Sequence, residues 1–234
     1  MSGLRRRWAV WLGVILALAT LLGSHPMGSQ ALFTDTAAVG GNTFTSGTWR
    51  TYWLHNNPTP PVGNTNRQAD LPMNNSSPTA ATLYNYDANA DAFPGRLIDK
   101  GGIGAGETDI VKYQNWRTAV LTSSLNINGA VTVPFWSAMK DFGPAKAGSV
   151  TIYLRNFNPG SGTYTEIANT TVTAADWQNG SGTWVSRTAT INVANHTLAI
   201  GRRLEVKIIV GSAAADNMWF AYDTTAYPTR VALP

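Results

Sequence analysis

Three oxygen-bearing side chains stand at alternate positions in Asp87-Ala88-Asn89-Ala90-Asp91. That is the spacing with which a calcium loop begins, because carboxylate and amide oxygens are hard ligands that suit a hard cation. The run then departs from such a loop. Ala92 stands where a glycine would allow the sharp turn, and Ile98 occupies the twelfth position, where a bidentate Glu would close the shell. A solvated turn between two strands is the competing reading. Asp87, Asn89 and Asp91 are therefore the candidate metal ligands, and structural calcium is the one cofactor the residues suggest. Asp223, following Trp219-Phe220-Ala221-Tyr222, is read as a loop cap or a further calcium ligand.

Catalytic groups are sparse. Beyond residue 31 the chain has two histidines, His55 and His196, and neither belongs to a His-Glu-x-x-His pair of a zinc protease. The two Gly-Ser-Gly triplets sit in turn-like segments and are not Gly-x-Ser-x-Gly nucleophile elbows. A Ser/His/Asp triad assembled from distant positions stays open. Residues 101–106 are glycine-rich but fit neither a dinucleotide fingerprint nor a P-loop, so they read as a loop. Glycoside hydrolysis needs two convergent carboxyl groups, and Glu107, Glu166 and Glu205 have no evident partners. No catalytic residue is assigned, and the expectation is a protein without catalytic activity.

Aromatic residues offer the one hint of a ligand surface. An exposed indole or phenol stacks on the apolar C–H face of a sugar. Trp116, Trp136 and Trp219 lie inside apolar runs and are expected in the core. Trp177 and Trp184 flank a polar turn and are the candidate ligand-stacking pair.

Composition narrows the classes. Only 13% of the 234 residues are charged, against about a quarter in typical domains. The net charge of +4 is misleading, because Arg5, Arg6 and Arg7 belong to an N-terminal leader. Without them the charge is nearly balanced, and the Arg202-Arg203 pair is too small to track phosphates. Nucleic acid is not expected as a partner. The absence of cysteine removes disulfides, thiolate nucleophiles and thiolate zinc sites together.

The leader itself is specific. After the three arginines comes an uncharged apolar run over residues 8–23, shorter than the roughly 20 residues that span a bilayer. Ser29-Gln30-Ala31 then places small residues where a signal peptidase reads them, so cleavage between Ala31 and Leu32 is expected; a retained anchor is the alternative. The next residues are Phe33-Thr34-Asp35, then Gly41-Asn42-Thr43-Phe44-Thr45-Ser46-Gly47-Thr48. This region, residues 5–50, resembles the start of TasA/camelysin-type exported proteins. The resemblance implies processing by a SipW-type signal peptidase and an extracellular or cell-surface location. It ends at Trp49. The fibre formation of the TasA group and the protease activity described for camelysin are not carried onto the chain beyond that point.

The elements that must position these residues read as strands. Val150, Ile152 and Leu154 alternate with Thr151, Tyr153 and Arg155. Leu204, Val206, Ile208 and Val210 alternate with Glu205 and Lys207. Period-2 alternation marks half-buried strands. Further β-rich runs cover residues 82–86, 116–127, 131–136, 218–222 and 230–233. Asn128-Gly129 signals a hairpin between the second and third of these. Residues 159–164 and 179–184 both read as Gly-rich turns leading into a Thr-aromatic strand start. Residues 173–178 are the one place where a helical turn is expected, capped by Thr173. Residues 55–81 carry Pro58, Pro60, Pro61, Pro72 and Pro78 and read as a long loop, since proline lacks a ladder donor.

The expected organisation is a signal peptide over residues 1–31 and an N-terminal segment with an edge strand over 32–54. A Pro/Asn-rich loop follows over 55–81, then a sandwich domain over 82–234. The fold class is all-β, an antiparallel sandwich resembling a jelly roll. The expected function is structural or adhesive at the cell envelope or outside the cell, a biofilm matrix being one such setting, with a carbohydrate-binding module as the alternative and a secreted hydrolase third. Self-association through an edge strand and polysaccharide contact are the expected partnerships.

Overall fold

A computed structural model describes residues 38–39, 42–43, 50–57, 68–87, 93–141, 143–178, 180 and 183–234. Contacts divide the chain into two units, Met1–Trp49 and Arg50–Pro234. In the first, β1 (Ala38–Val39) pairs antiparallel with β2 (Asn42–Thr43). The cleavage site at Ala31 and Leu32 lies outside the described residues.

The second unit is an all-β sandwich with no α-helix among the described residues. Its first sheet is organised on β7 (Leu125–Met139), which pairs along one flank with β10 (Val185–Leu198). The other flank is shared. β12 (Met218–Ala221) takes the end near Met139 and carries β5 (Arg96–Ile98) beyond it. β13 (Arg230–Ala232) meets β7 at Thr132 and carries β3 (Thr51–Leu54). The second sheet runs β6 (Tyr113–Arg117), β11 (Arg203–Val210), β8 (Lys146–Asn158) and β9 (Thr163–Trp177), all antiparallel.

The core lies between the sheets. β7 sends in Val131, Val133, Phe135 and Met139. β8 sends Val150, Ile152 and Leu154, and β11 sends Leu204, Val206, Ile208 and Val210. With no disulfide, apolar burial and β-ladders supply the cohesion, each buried side chain contributing about 1.5–3 kcal/mol.

The alternating runs at 149–157 and 204–210 are strands, as their period requires. Other expectations need correction. Asn128-Gly129 is not a hairpin: β7 runs straight through it. The hairpin signal instead marks a bulge, because β10 shifts register between Val193 and His196 opposite this dipeptide, and Gly129 takes φ +127°. Residues 173–177 are not helical but finish β9, where pairing with β8 overrides local propensity. The 55–81 segment is not all loop. β4 (Leu71–Asn74) lies in it, pairing antiparallel with β3 and, over two residues, parallel with β6, and so joins the two sheets. Pro72 is tolerated because the pairing is short and its carbonyl accepts from His55 N–H at 3.0 Å. The sandwich therefore begins at Arg50 rather than at residue 82.

Candidate binding site

Strand alternation puts Tyr113, Asn115 and Arg117 of β6 on the outer face of the second sheet. On the same face β11 places Glu205 and Lys207, and β8 places Tyr153, Arg155 and Phe157. Register sets Arg117, Glu205 and Arg155 in one row across three strands, and Asn115, Lys207 and Tyr153 in the next. Such a face would ordinarily meet solvent. Here residues 101–109 fold back across it, and Glu205, Lys207 and Arg155 are buried, at 0%, 3% and 5% exposure.

Charge complementarity builds the row. Arg117 Nε donates to Glu205 Oε2, and Arg155 Nε lies 2.9 Å from Glu205 Oε1 as an ion pair, without hydrogen-bond alignment. Arg117 Nη1 also pairs with Asp70 Oδ2 at 2.7 Å. Asn115 Nδ2 donates to Asp70 Oδ1 and Glu205 Oε2, at 2.7 and 3.2 Å. The Arg117 guanidinium lies 3.5 Å over the Phe157 ring, and that of Arg155 lies 3.1 Å over the ring of Tyr164, at the start of β9 (Thr163–Trp177). These stacked cations are rigid at their base.

The overlying loop is tied down by polar bonds. Arg155 Nη1 and Lys207 Nζ both donate to the Ala105 carbonyl, at 3.0 and 3.2 Å, and Lys207 Nζ also donates to the Glu107 carbonyl. The Glu107 carboxylate accepts from the backbone N–H groups of Ile103, Thr108 and Asp109. Burial opposes its ionisation, but these three donors together outweigh that and hold its carboxyl below the usual range. Lys207 sits 4.0 Å above the Tyr113 ring. Burial, reinforced by Arg155, pushes its ammonium down to about 8, against the pull of Glu205 and Glu107.

Between loop and sheet lies a cavity of about 270 Å³. Its wall includes Asp70, Tyr113, Arg117, Arg155, Tyr164 and Lys207. Aromatic faces stand beside planar, hydrogen-bonding groups, and a small polar ring molecule matches that combination.

The residues singled out from sequence fall elsewhere. Asp87 is buried, and its Oδ2 accepts from Leu97 N–H at 3.0 Å and faces Arg96 Nη1 at 3.5 Å, so its charge is committed to the fold. Asn89 and Asp91 lie outside the described residues. Among the described residues no group of three or more His, Cys, Asp or Glu is placed to hold a metal.

Trp177 is no ligand platform. It is fully buried against Gly148, with Nε1 donating to Ser137 Oγ at 2.7 Å, because the end of β9 folds over the core. Trp184 is half-buried and packs with Phe93 onto Leu97, Ala138 and Trp219. It lies 5.7 Å from Tyr227 at 54°, so the two rings make no flat surface. Trp116 and Trp219 are core residues, as expected.

One acid–base pair is assembled from a distance. His55 Nδ1 lies 2.7 Å from Asp223 Oδ1, and Asp223 Oδ2 accepts from Asn56 N–H at 2.7 Å. His55 Nε2 faces the Ser76 carbonyl at 3.0 Å, so Ser76 contributes its backbone rather than its hydroxyl. Sequence reasoning missed the Arg117–Glu205–Arg155 row. Its signal was ionisable residues alternating with aliphatic ones within strands, read only as the outward side of half-buried strands.

No protein-family model matches the chain, and no curated protein does. Solved structures do. An α-amino acid ester hydrolase aligns with a TM-score of 0.54 at 11% identity, over 79% of this chain and 36% of its own. An aminopeptidase from a marine sediment Thaumarchaeota archaeon gives 0.51 at 12%, over 85% of this chain and 39% of its own. A CocE/NonD family hydrolase from Staphylococcus aureus gives 0.50 at 8%, over 70% and 34%. These likenesses establish the fold, and the chain spans little more than a third of the hydrolases' length. They also correct the expectation of a protein without catalytic activity. That expectation rested on missing sequence motifs, and the architecture is one that hydrolases carry.

Proposed function

We propose that this β-sandwich binds a saccharide in the cavity between residues 101–109 and the second sheet. The observation that carries it is the wall itself. Tyr164 and Tyr113 supply ring surface, each with one face held against a cation, and beside them stand the Asp70 carboxylate and the Arg117 and Arg155 guanidiniums, fixed in place by bonds within the protein. Sugar hydroxyls both donate and accept, so they suit a mixed wall better than an apolar ligand does. A buried ion-paired row is rarely a stability device, because desolvation offsets most of its Coulomb energy. Its presence therefore favours recognition. The leader supports action outside the cell, where contact with a polysaccharide would provide the adhesive role.

Isothermal titration of the purified chain against a panel of oligosaccharides tests this. Binding is expected in the micromolar to millimolar range, with Tyr164→Ala weakening it about 3–10-fold through lost stacking. A folded chain that binds no member of the panel overturns the proposal.

A second reading has its own observation, the His55–Asp223 pair. A buried carboxylate orienting a histidine is the arrangement of a general base. Substrate would have to displace the Ser76 carbonyl from Nε2. Ester and peptide turnover that disappears in His55→Ala supports this reading, and turnover unchanged in that variant removes it.

A further inference from the structure

We infer that the ligand of this cavity carries a carboxylate, making it an acidic saccharide of the uronate type; this rests on the saccharide reading above. Every carboxylate at the cavity is already engaged. Glu205 faces Arg117 and Arg155, Asp70 holds Arg117 and Asn115, and Glu107 is filled by three backbone amides. The donors are not exhausted. Lys207 has three N–H donors and two protein acceptors, the carbonyls of Ala105 and Glu107, and no carboxylate within ion-pair distance among the described residues. Arg117 engages Nε and Nη1, and Arg155 hydrogen-bonds through Nη1 while its Nε only faces Glu205 as an ion pair, so neither Nη2 has a protein acceptor among the described residues. All three cations line the same cavity.

Two guanidinium edges and an ammonium around one space therefore present surplus donors, while the formal charge of these three cations is balanced by Asp70, Glu107 and Glu205. A planar carboxylate satisfies this set, because it accepts in bidentate fashion from a guanidinium and brings no donor of its own. Neutral hydroxyls would bring donors of their own, and the carboxylates that could accept from them are already engaged.

A pH dependence follows. The groups facing Lys207 are Arg155 from β8, Glu205 from β11, Glu107 from the loop, and Arg117 and Tyr113 from β6, with Tyr153 opposite in register. Burial pushes the Tyr113 and Tyr153 hydroxyls up, so both stay protonated below the Lys207 transition. Of these groups Lys207 loses its charge first as pH rises, at about 8. A bound carboxylate favours the ammonium, so affinity is expected to fall above that pH.

The test compares uronate oligosaccharides with their methyl esters and with sulfated oligosaccharides, by calorimetry on the full chain. The acid is expected to bind about 10–100-fold more tightly than its methyl ester, with the preference fading above pH 8 and lost in Lys207→Met. Equal affinity for acid and ester overturns this inference and leaves the saccharide reading standing. Sulfated ligands binding as tightly as uronates overturn the carboxylate assignment in favour of general anion recognition. No binding by any of them overturns both readings. The acid–ester comparison uses the unmodified chain, so it holds even where Lys207→Met does not fold.

Discussion

Trp177 shows how tightly one residue is specified. A Cβ added at Gly148 would stand 2.3 Å from the Trp177 ring, so glycine is the residue that lets this indole lie flat on β8. Gly148→Ala is expected to destabilise by about 1–3 kcal/mol through overpacking, measured as a lower urea midpoint at unchanged slope. Trp177→Ala should cost about 3–5 kcal/mol, from the cavity and the orphaned Ser137 hydroxyl. Asp223 is equally constrained. It holds φ +59°, is 3% exposed, and serves both His55 and the Asn56 amide. Asp223→Ala should lose about 3–5 kcal/mol by the same measurement, because it leaves a buried amide and a histidine without their acceptor. None of these environments is written in the local sequence. Trp177 beside a polar turn looked exposed, and Asp223 looked like a cap.

At the scale of elements, the segment over residues 99–112 decides whether a site exists. It has few apolar anchors and is held by the Glu107 carboxylate on three of its own amides and by Arg155 and Lys207 from below. Glu107→Ala is expected to leave the sandwich folded while loosening this segment. Hydrogen exchange at Ile103, Thr108 and Asp109 should accelerate at least tenfold, with exchange in β8 and β11 unchanged. Unchanged exchange at those three amides would show that the loop is anchored otherwise. Strand periodicity made β8 and β11 legible from their side-chain alternation. The loop across them was not legible, because a Gly-rich run carries no signal for where it folds back.

For the whole molecule, the two sheets close through β4 and bury a charged face as well as an apolar core. The buried Lys207 links that closure to pH. Its ammonium titrates at about 8 in the folded chain against 10.5 when solvated, so the unfolded chain binds more protons between these values. Stability contributed by this group is therefore expected to rise as pH increases from 8 to 10.5. Melting the wild type against Lys207→Met across that window checks the sign: the gap between them should shift toward the wild type as pH rises. The fold class was legible without coordinates, because alternation over residues 149–157 and 204–210 can bury one face only in a sheet. The Pro-rich stretch hid β4, since a short strand needs just two paired residues on either side and Leu71 and Met73 to bury.

What the sequence determined by itself was local: the alternating strands over residues 149–157 and 204–210 and the absence of disulfides. These depend on neighbours along the chain. What only the tertiary structure decided was which outward-facing residues stay outward. Arg155, Glu205 and Lys207 alternate as solvent-facing residues do, yet a loop some 50 to 100 positions away covers them. Burial by a distant segment leaves no periodic trace, and it is that burial which turns a polar sheet face into a cavity with donors left to satisfy.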